Sequence, residues 1–261
     1  MRVLTCNVRY SAAKDGENNW MCRKELCLRG VRQQNADLIC CQEMSAEQQR
    51  AFAIGLPEYE WFGMVDLPHN DTPVNSIFYR RERFRRISVG GYWLSKTPHI
   101  PGSSSWDSSV VRLCNWLRLV DLPTGREFRL VNTHIDHISQ PARVHQMGMI
   151  LEEAKAYLPD YPQILTGDLN CNASNAVIKA ILKAGWVDSY QAIHGVLNPG
   201  NTFHAFHGPD DPNQSGKIDW IFTRGDVQAR AAEIITIQEN GRYPSDHYFI
   251  SADLEWLAPT A

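Results

Sequence analysis

Short apolar runs alternate with amphipathic stretches along the whole chain, and the polar residues that carry chemistry fall where the apolar runs stop. Residues 3–8 read as a strand that ends around Asn7, residues 21–34 as a helix, and residues 37–42 as a strand that delivers Glu43. Ser45 and Gln48 form a capping-box signature for a second helix. Residues 75–79 and 84–89 read as two strands joined by the charged turn 80–83, and the Pro-, Gly- and Ser-rich stretch 94–109 as an ordered loop. Residues 110–120 and 128–132 pair around the turn Pro123-Thr124-Gly125. In residues 141–158, Val144, Met147, Leu151, Ala154 and Leu158 follow helical spacing. A strand over 163–166 feeds Gly167-Asp168-Leu169-Asn170, a helix follows over 174–184, and strands are predicted over 217–222 and 248–256. In the last of these, Ile250, Ala252, Leu254 and Trp256 alternate with Ser251, Asp253 and Glu255, as in a half-exposed strand. No linker or internal repeat interrupts the series. The pattern predicts one α/β domain over residues 1–261, built from two packed mixed sheets with helices outside.

The chain has 261 residues, 43% of them hydrophobic, enough for a sizeable core. A net charge of −3 argues against a protein that grips long duplexes by phosphate neutralisation, although a local basic groove is still allowed. The seven cysteines show no metal-type pairing, and Cys40-Cys41 lie inside an apolar strand, which fits buried thiols in a reducing compartment. No apolar run approaches the length of a membrane span and residues 2–6 already read as strand, so a cytoplasmic monomer is expected, although a chain trimmed of its leader would look the same.

The strand-end residues form a coherent chemical set. Asp168 accepting a proton from an attacking water, with Asn170 fixing that water, is one reading of the Gly167–Asn170 stretch; an ordinary turn is the other. Adjacent Asp246 and His247 point to opposite faces of an extended chain, so they do different jobs. His247 then needs a separate carboxylate to fix its tautomer, and Asp219, set among Ile218, Trp220 and Ile221, needs a partner. Asp246 is left free for a cation. Glu43 and Asn7 end consecutive strands, which neighbour each other about two-thirds of the time. His134, Asp136 and His137 suggest zinc on first sight, but no cysteine is well placed, so His134 reads as a phosphate contact or general acid. Asp136 and His137 read as supporting residues, with a structural role for His137 weighed equally. The arginine run 80–86 reads as solvated surface. Arg112, among Val110, Val111 and Leu113, requires an anionic partner. Trp93 and Trp106 flank the Pro/Gly/Ser-rich loop and are candidate pocket walls.

Taken in order, Asn7-Val8-Arg9-Tyr10, Gln42-Glu43, Ile77-Phe78-Tyr79, Asn132-Thr133-His134, Gly167-Asp168-Leu169-Asn170, Ile218-Asp219-Trp220-Ile221 and Ser245-Asp246-His247 resemble the endonuclease/exonuclease/phosphatase superfamily. Cys6 stands where an aromatic residue is common there, and Trp220 where Tyr or His is. The nearest likeness is to small bacterial members of the deadenylase-like branch, which share residues 132–137 and the 93–107 region. The resemblance implies a four-layer α/β sandwich with Mg²⁺ or Mn²⁺ at the strand ends. It implies Glu43 as principal metal ligand with Asn7 and Asp246 near it, Asp168 and Asn170 positioning water, and the Asp219–His247 pair on the phosphoryl oxygen. His134 contacts the phosphate from the leaving-group side, and Arg112, Tyr79 and Asn170 join it as substrate contacts. The function implied is metal-dependent hydrolysis of a phosphodiester or phosphomonoester, of a small molecule or single-stranded nucleotide; the alternative is a DNA endonuclease or exonuclease of the abasic-site or deoxyribonuclease type.

Overall fold

The computed structural model describes residues 1–64 and 74–258. Within them the first half of the chain forms β1 (Arg2–Asn7), α1 (Trp20–Gln33), β2 (Leu38–Met44), α2 (Ala46–Gly55), β3 (Tyr59–Phe62), β4 (Val74–Arg80), β5 (Phe84–Trp93) and β6 (Leu113–Asp121). The second half forms β7 (Arg126–His134), α3 (Gln140–Ala154), β8 (Gln163–Asp168), α4 (Ala176–Lys183), β9 (Val187–Asp188), α5 (Ser189–His194), β10 (Asp219–Arg224), β11 (Val227–Ile235) and β12 (Phe249–Trp256). The strands make two six-stranded sheets, ordered β11-β12-β1-β2-β4-β3 and β5-β6-β7-β8-β10-β9. Each sheet holds one parallel pair, β1–β2 in the first and β7–β8 in the second.

Alternation along the strands explains the layering, because successive side chains leave opposite faces. Val3, Leu38, Cys40 and Ile77 of the first sheet meet Leu117, Leu130, Ile164 and Ile221 of the second in a buried core between them. Their neighbours Leu4, Ile39, Cys41 and Phe78 pack outward against Trp20, Leu28 and Phe52 of α1 and α2. On the other side Val131, Leu165 and Phe222 pack against Met147, Ile150 and Ile178 of α3 and α4. This is the expected four-layer sandwich, and burial on both sheet faces is why the central strands read as continuous apolar runs.

Some expected boundaries move. The capping box is present in full, with Ser45 and Gln48 each satisfying the other's backbone. In α3 the buried positions are Ala142, Gln146, Met147, Ile150 and Ala154, while Val144 and Leu158 are exposed. The predicted stripe was displaced because Gln146 turns inward to accept a hydrogen bond from the Asp136 N–H, and the helix stops before Leu158. The arginine run is only partly solvated surface. Arg83 bridges Asp37 and fully buried Asp121 at 2.9 and 3.0 Å, whereas Arg85 and Arg86 are exposed.

Candidate active site at the mouth between the sheets

The same alternation that builds the core also aims the chemistry. Continuing the inward-facing series past the core, Asn7, His134, Asp168 and Asp219 occupy the ends of β1, β7, β8 and the start of β10. All four are buried. Asp168 pairs in register with His134 on one side and with Asp219 on the other. The site therefore lies at the carboxyl ends of the two parallel pairs, where ligands bind in open α/β sheets.

Two backbone departures complete it. By alternation Glu43 would face the helices, but β2 bulges between Cys41 and Met44 and Glu43 adopts a positive φ of 55°. The bulge re-aims its carboxylate toward the mouth. At the end of β8, Gly167 has φ 151°, and a Cβ there would lie 2.0 Å from the Thr133 carbonyl oxygen. Only glycine lets the second parallel pair close at this point and set His134 beside Asp168. Asn170, with φ 47°, lies in the left-handed region. A tight turn brings it back, its N–H donating to Asp168 Oδ1 at 2.9 Å.

The hydrogen bonds assign roles. Asn7 Nδ2 donates to Glu43 Oε1 (3.1 Å) and Asp168 Oδ2 (3.0 Å), while its Oδ1 accepts from the Arg9 N–H. Asn7, expected near the metal, thus bridges the carboxylates of Glu43 and Asp168 through its Nδ2. The His247 ring meets Asp219 Oδ2 through Nδ1 at 2.9 Å, and its Nε2 lies 3.7 Å from Asp168 Oδ2. Burial alone would strip the proton from His247, but Asp219, Asp168 and Asp246 outweigh it and raise the pKa to about 10. The same burial, with Asp219's charge, raises Asp168. His134 goes the other way. Burial, then Arg112 and His247, hold it well below 6.5, so it is neutral. Asn170 Nδ2 contacts both the Ile135 carbonyl (3.1 Å) and His134 Nε2 (2.9 Å), so that ring nitrogen accepts. Asp246 Oδ2 lies 3.5 Å from Arg9 Nε, and burial and the nearby Glu43 charge raise its pKa.

Glu43, His134, Asp168, Asn170, Asp246 and His247 line a cavity of about 890 Å³ that also takes in Arg112, His137, Asn75, Phe203 and Ile218, whereas Asn7 and Asp219 do not line it. Tyr79, expected at the substrate, is not there. Strand β4 runs antiparallel to β2, so Tyr79 pairs with Leu38 at the far end, where its hydroxyl donates to Glu60 at 2.6 Å. Asn75 holds the site end of that strand instead. Arg112 does reach the cavity, but from the irregular segment just before β6 and not from within a strand. Asp136 is buried and accepts from Ser108 Oγ, from the N–H and Oγ of Ser109, and from the N–H groups of Ile138 and Ser139. That satisfied carboxylate rules out the zinc reading. Trp106 stacks on His145 at 4.8 Å, and neither it nor Trp93 lines the cavity.

Sequence reasoning missed Arg23 and Phe203. Arg23, buried in α1, donates to the carbonyls of Val8, Arg9 and Pro244 and so ties the end of β1 to the loop carrying Asp246. Its helical position gave no hint. Phe203 packs edge-on against His247 at 5.1 Å, from an irregular stretch with no periodicity to read.

Two docked mixed sheets thus carry a ring of strand-end acids, amides and histidines at their shared mouth, and this arrangement has direct relatives. The chain belongs to the Endonuclease/Exonuclease/phosphatase family, whose profile it matches over residues 4–247. It is similar to an endonuclease/exonuclease/phosphatase from Bacteroides vulgatus, 29% identical with a TM-score of 0.88, each chain covered to 98%. The mannosyl-6-phosphatase of Bacteroides thetaiotaomicron is 27% identical with a TM-score of 0.86, over 98% of this chain and 100% of that one. Nocturnin of Drosophila melanogaster is 24% identical over 92% of this chain, which spans only 43% of that protein.

Proposed function

We propose that the chain is a divalent-metal-dependent phosphoesterase that hydrolyses a small phosphate ester by in-line attack of water. The observation that carries this is the Asp168–His247–Asp219 chain beside Glu43 and Asp246, which joins a proton acceptor, a cationic ring and two further carboxylates at one cavity.

The donor set fits a hard cation. Glu43 and Asp246 repel each other across the cavity, and no cysteine lines it, so oxygen ligands suited to Mg²⁺ or Mn²⁺ predominate. Glu43 and Asp246 would hold the ion, with Asp168 and His134 adjacent: Glu43, His134 and Asp168 offer ligand atoms within 4.8 Å of one another. When bound, such an ion polarises the phosphoryl group and offsets charge developing in the reaction. The chain's own residues supply the rest. Asp168, its carboxylate steadied by Asn7 Nδ2 and the Asn170 N–H, takes the proton of the water that attacks phosphorus as the ester oxygen leaves. The cationic imidazole of His247 donates from Nε2 to a phosphoryl oxygen, and Asp219 holds Nδ1–H so that Nε2 faces the substrate. His134 is a phosphate contact and not the acid that protonates the leaving group, because it is held neutral.

A small substrate is favoured over a nucleic acid. Among the described residues lining the cavity only Arg9 and Arg112 are Lys or Arg, and Arg9 is already held by Asp15 and Asp246. Likeness to a mannosyl-6-phosphatase points the same way. The test is hydrolysis of a panel of sugar phosphates, nucleotides and single-stranded oligonucleotides, with Mg²⁺ or Mn²⁺ and again after EDTA. Metal-restored turnover of a small ester is expected; undiminished turnover by metal-free protein, or turnover of oligonucleotides alone, would overturn the proposal.

A further inference from the structure

Arg112 is the one cavity-lining guanidinium, among the described residues, whose charge is not answered by an acid. Every carboxylate near it is engaged elsewhere. Asp136 takes the hydrogen bonds from Ser108, Ser109, Ile138 and Ser139. Glu43 accepts from Asn7 and the Tyr10 N–H, and Asp168 from Asn7 and the Asn170 N–H. What Arg112 meets is a neutral ring: its guanidinium approaches His137 Nδ1 at 3.4 Å, and its Nε is buried with no partner. A guanidinium left this way is costly unless an oxyanion arrives. Its pose is also fixed in advance, because Asp136 anchors Ser108 and Ser109 immediately before the Val110–Arg112 segment.

We infer that Arg112, set by His137 and by the Asp136-anchored loop, is a seat for the third non-bridging oxygen of a phosphoryl dianion, and that the site accordingly prefers phosphomonoesters to diesters. This rests on the phosphoesterase reading above. A monoester presents three non-bridging oxygens and close to two negative charges at neutral pH. His247 and His134 would meet oxygens on the catalytic side, where Glu43 would hold the cation. Arg112, reaching the cavity from the irregular segment before β6, remains for the third. A diester has only two such oxygens and a single charge, so it leaves the guanidinium unanswered.

The experiment compares wild type with Arg112→Ala and Arg112→Lys, using p-nitrophenyl phosphate, bis(p-nitrophenyl) phosphate and inorganic phosphate in the presence of Mg²⁺. Loss of a charge-assisted fork should lower monoester kcat/KM about ten- to a hundredfold, and diester kcat/KM by far less. Arg112→Lys should recover only part of the monoester rate, since a point charge lacks the fork. Calorimetric binding of phosphate should weaken by a similar factor in Arg112→Ala. Equal losses on both esters, or unchanged phosphate affinity, would overturn the seat. If Arg112→Ala does not fold, as judged by its thermal transition, Arg112→Lys carries the comparison. Wild type that turns over neither ester but whose phosphate affinity falls with Arg112 would sink the hydrolytic reading and leave the anion seat standing.

Discussion

Replacing Asp219 with Asn removes the charge that most strongly holds the proton on His247 while keeping the side chain's shape. With Asp219 in place the imidazole titrates at about 10 despite complete burial. Without that charge the pKa falls toward the ordinary histidine value of about 6.5, so at pH 7.5 only about a tenth of the rings would be protonated. A misplaced ring proton adds to this, because Asn can present an N–H to Nδ1 and stabilise the wrong tautomer. Together these give a catalytic loss of about a hundredfold or more. The pH profile of kcat/KM separates this from simple damage: the basic limb should move down from about pH 10 in Asp219→Asn. The stability consequence has the same sign. A histidine whose folded pKa is raised contributes stability that is fully present below its unfolded value and is lost as pH rises through about 10, so the variant should lose most stability, relative to wild type, on the acid side of that window. His247→Ala should cost at least as much turnover, and the double variant little more. An unmoved basic limb, or losses that multiply, would refute the pair.

Three further outcomes are expected. Glu43→Gln should raise the half-saturating Mg²⁺ before it affects turnover at saturating metal, and an unchanged metal titration would remove Glu43 from the ion's ligands. Gly167→Ala should fail to assemble the β7–β8 end, since a Cβ would sit 2.0 Å from the Thr133 carbonyl; a wild-type melting temperature with full activity would contradict the close approach. In Asp136, burial by itself raises the carboxyl, but bonds from Ser109, Ser139 and Ile138 hold it far below the usual range. Asp136→Ala should therefore cost about 2–4 kcal/mol near neutral pH. That difference should shrink as pH falls below about 4, where the unfolded chain takes up the proton first, and a pH-independent difference would contradict the assignment.

The site was more legible in the sequence than the boundaries of the elements around it. Strand-end acids and histidines announce themselves because each interrupts an apolar run, and Asp219 demanded a partner before His247 was seen beside it. Tyr79 misled because a motif position carries no strand direction; only the antiparallel run of β4 sends it to the wrong end. Arg112 was expected within a strand and instead reaches the cavity from the irregular segment before β6, because an apolar run around a charge does not by itself fix a ladder. Glu43 reaches the mouth through a bulge and a positive φ, which no alternation pattern encodes. Strands such as β9 and β11 were missed: one is two residues long, and the other is diluted by Gln228, Arg230 and Glu233.

The candidate site is divided between two separately hydrogen-bonded sheets, Asn7 and Glu43 on one, His134, Asp168 and Asp219 on the other. Directly beneath it Gln42 Nε2 donates to Asn132 Oδ1 at 2.6 Å, and Asn132 Nδ2 donates to the carbonyls of Cys41 and Ser76, stitching one sheet to the other. Function is thereby a gauge of docking. A small slip or swelling between the layers would pull the carboxylates apart while every strand kept its own ladder. On heating or in mild denaturant, turnover should vanish before the far-ultraviolet signature of the sheets does, and Asn132→Leu should widen that interval.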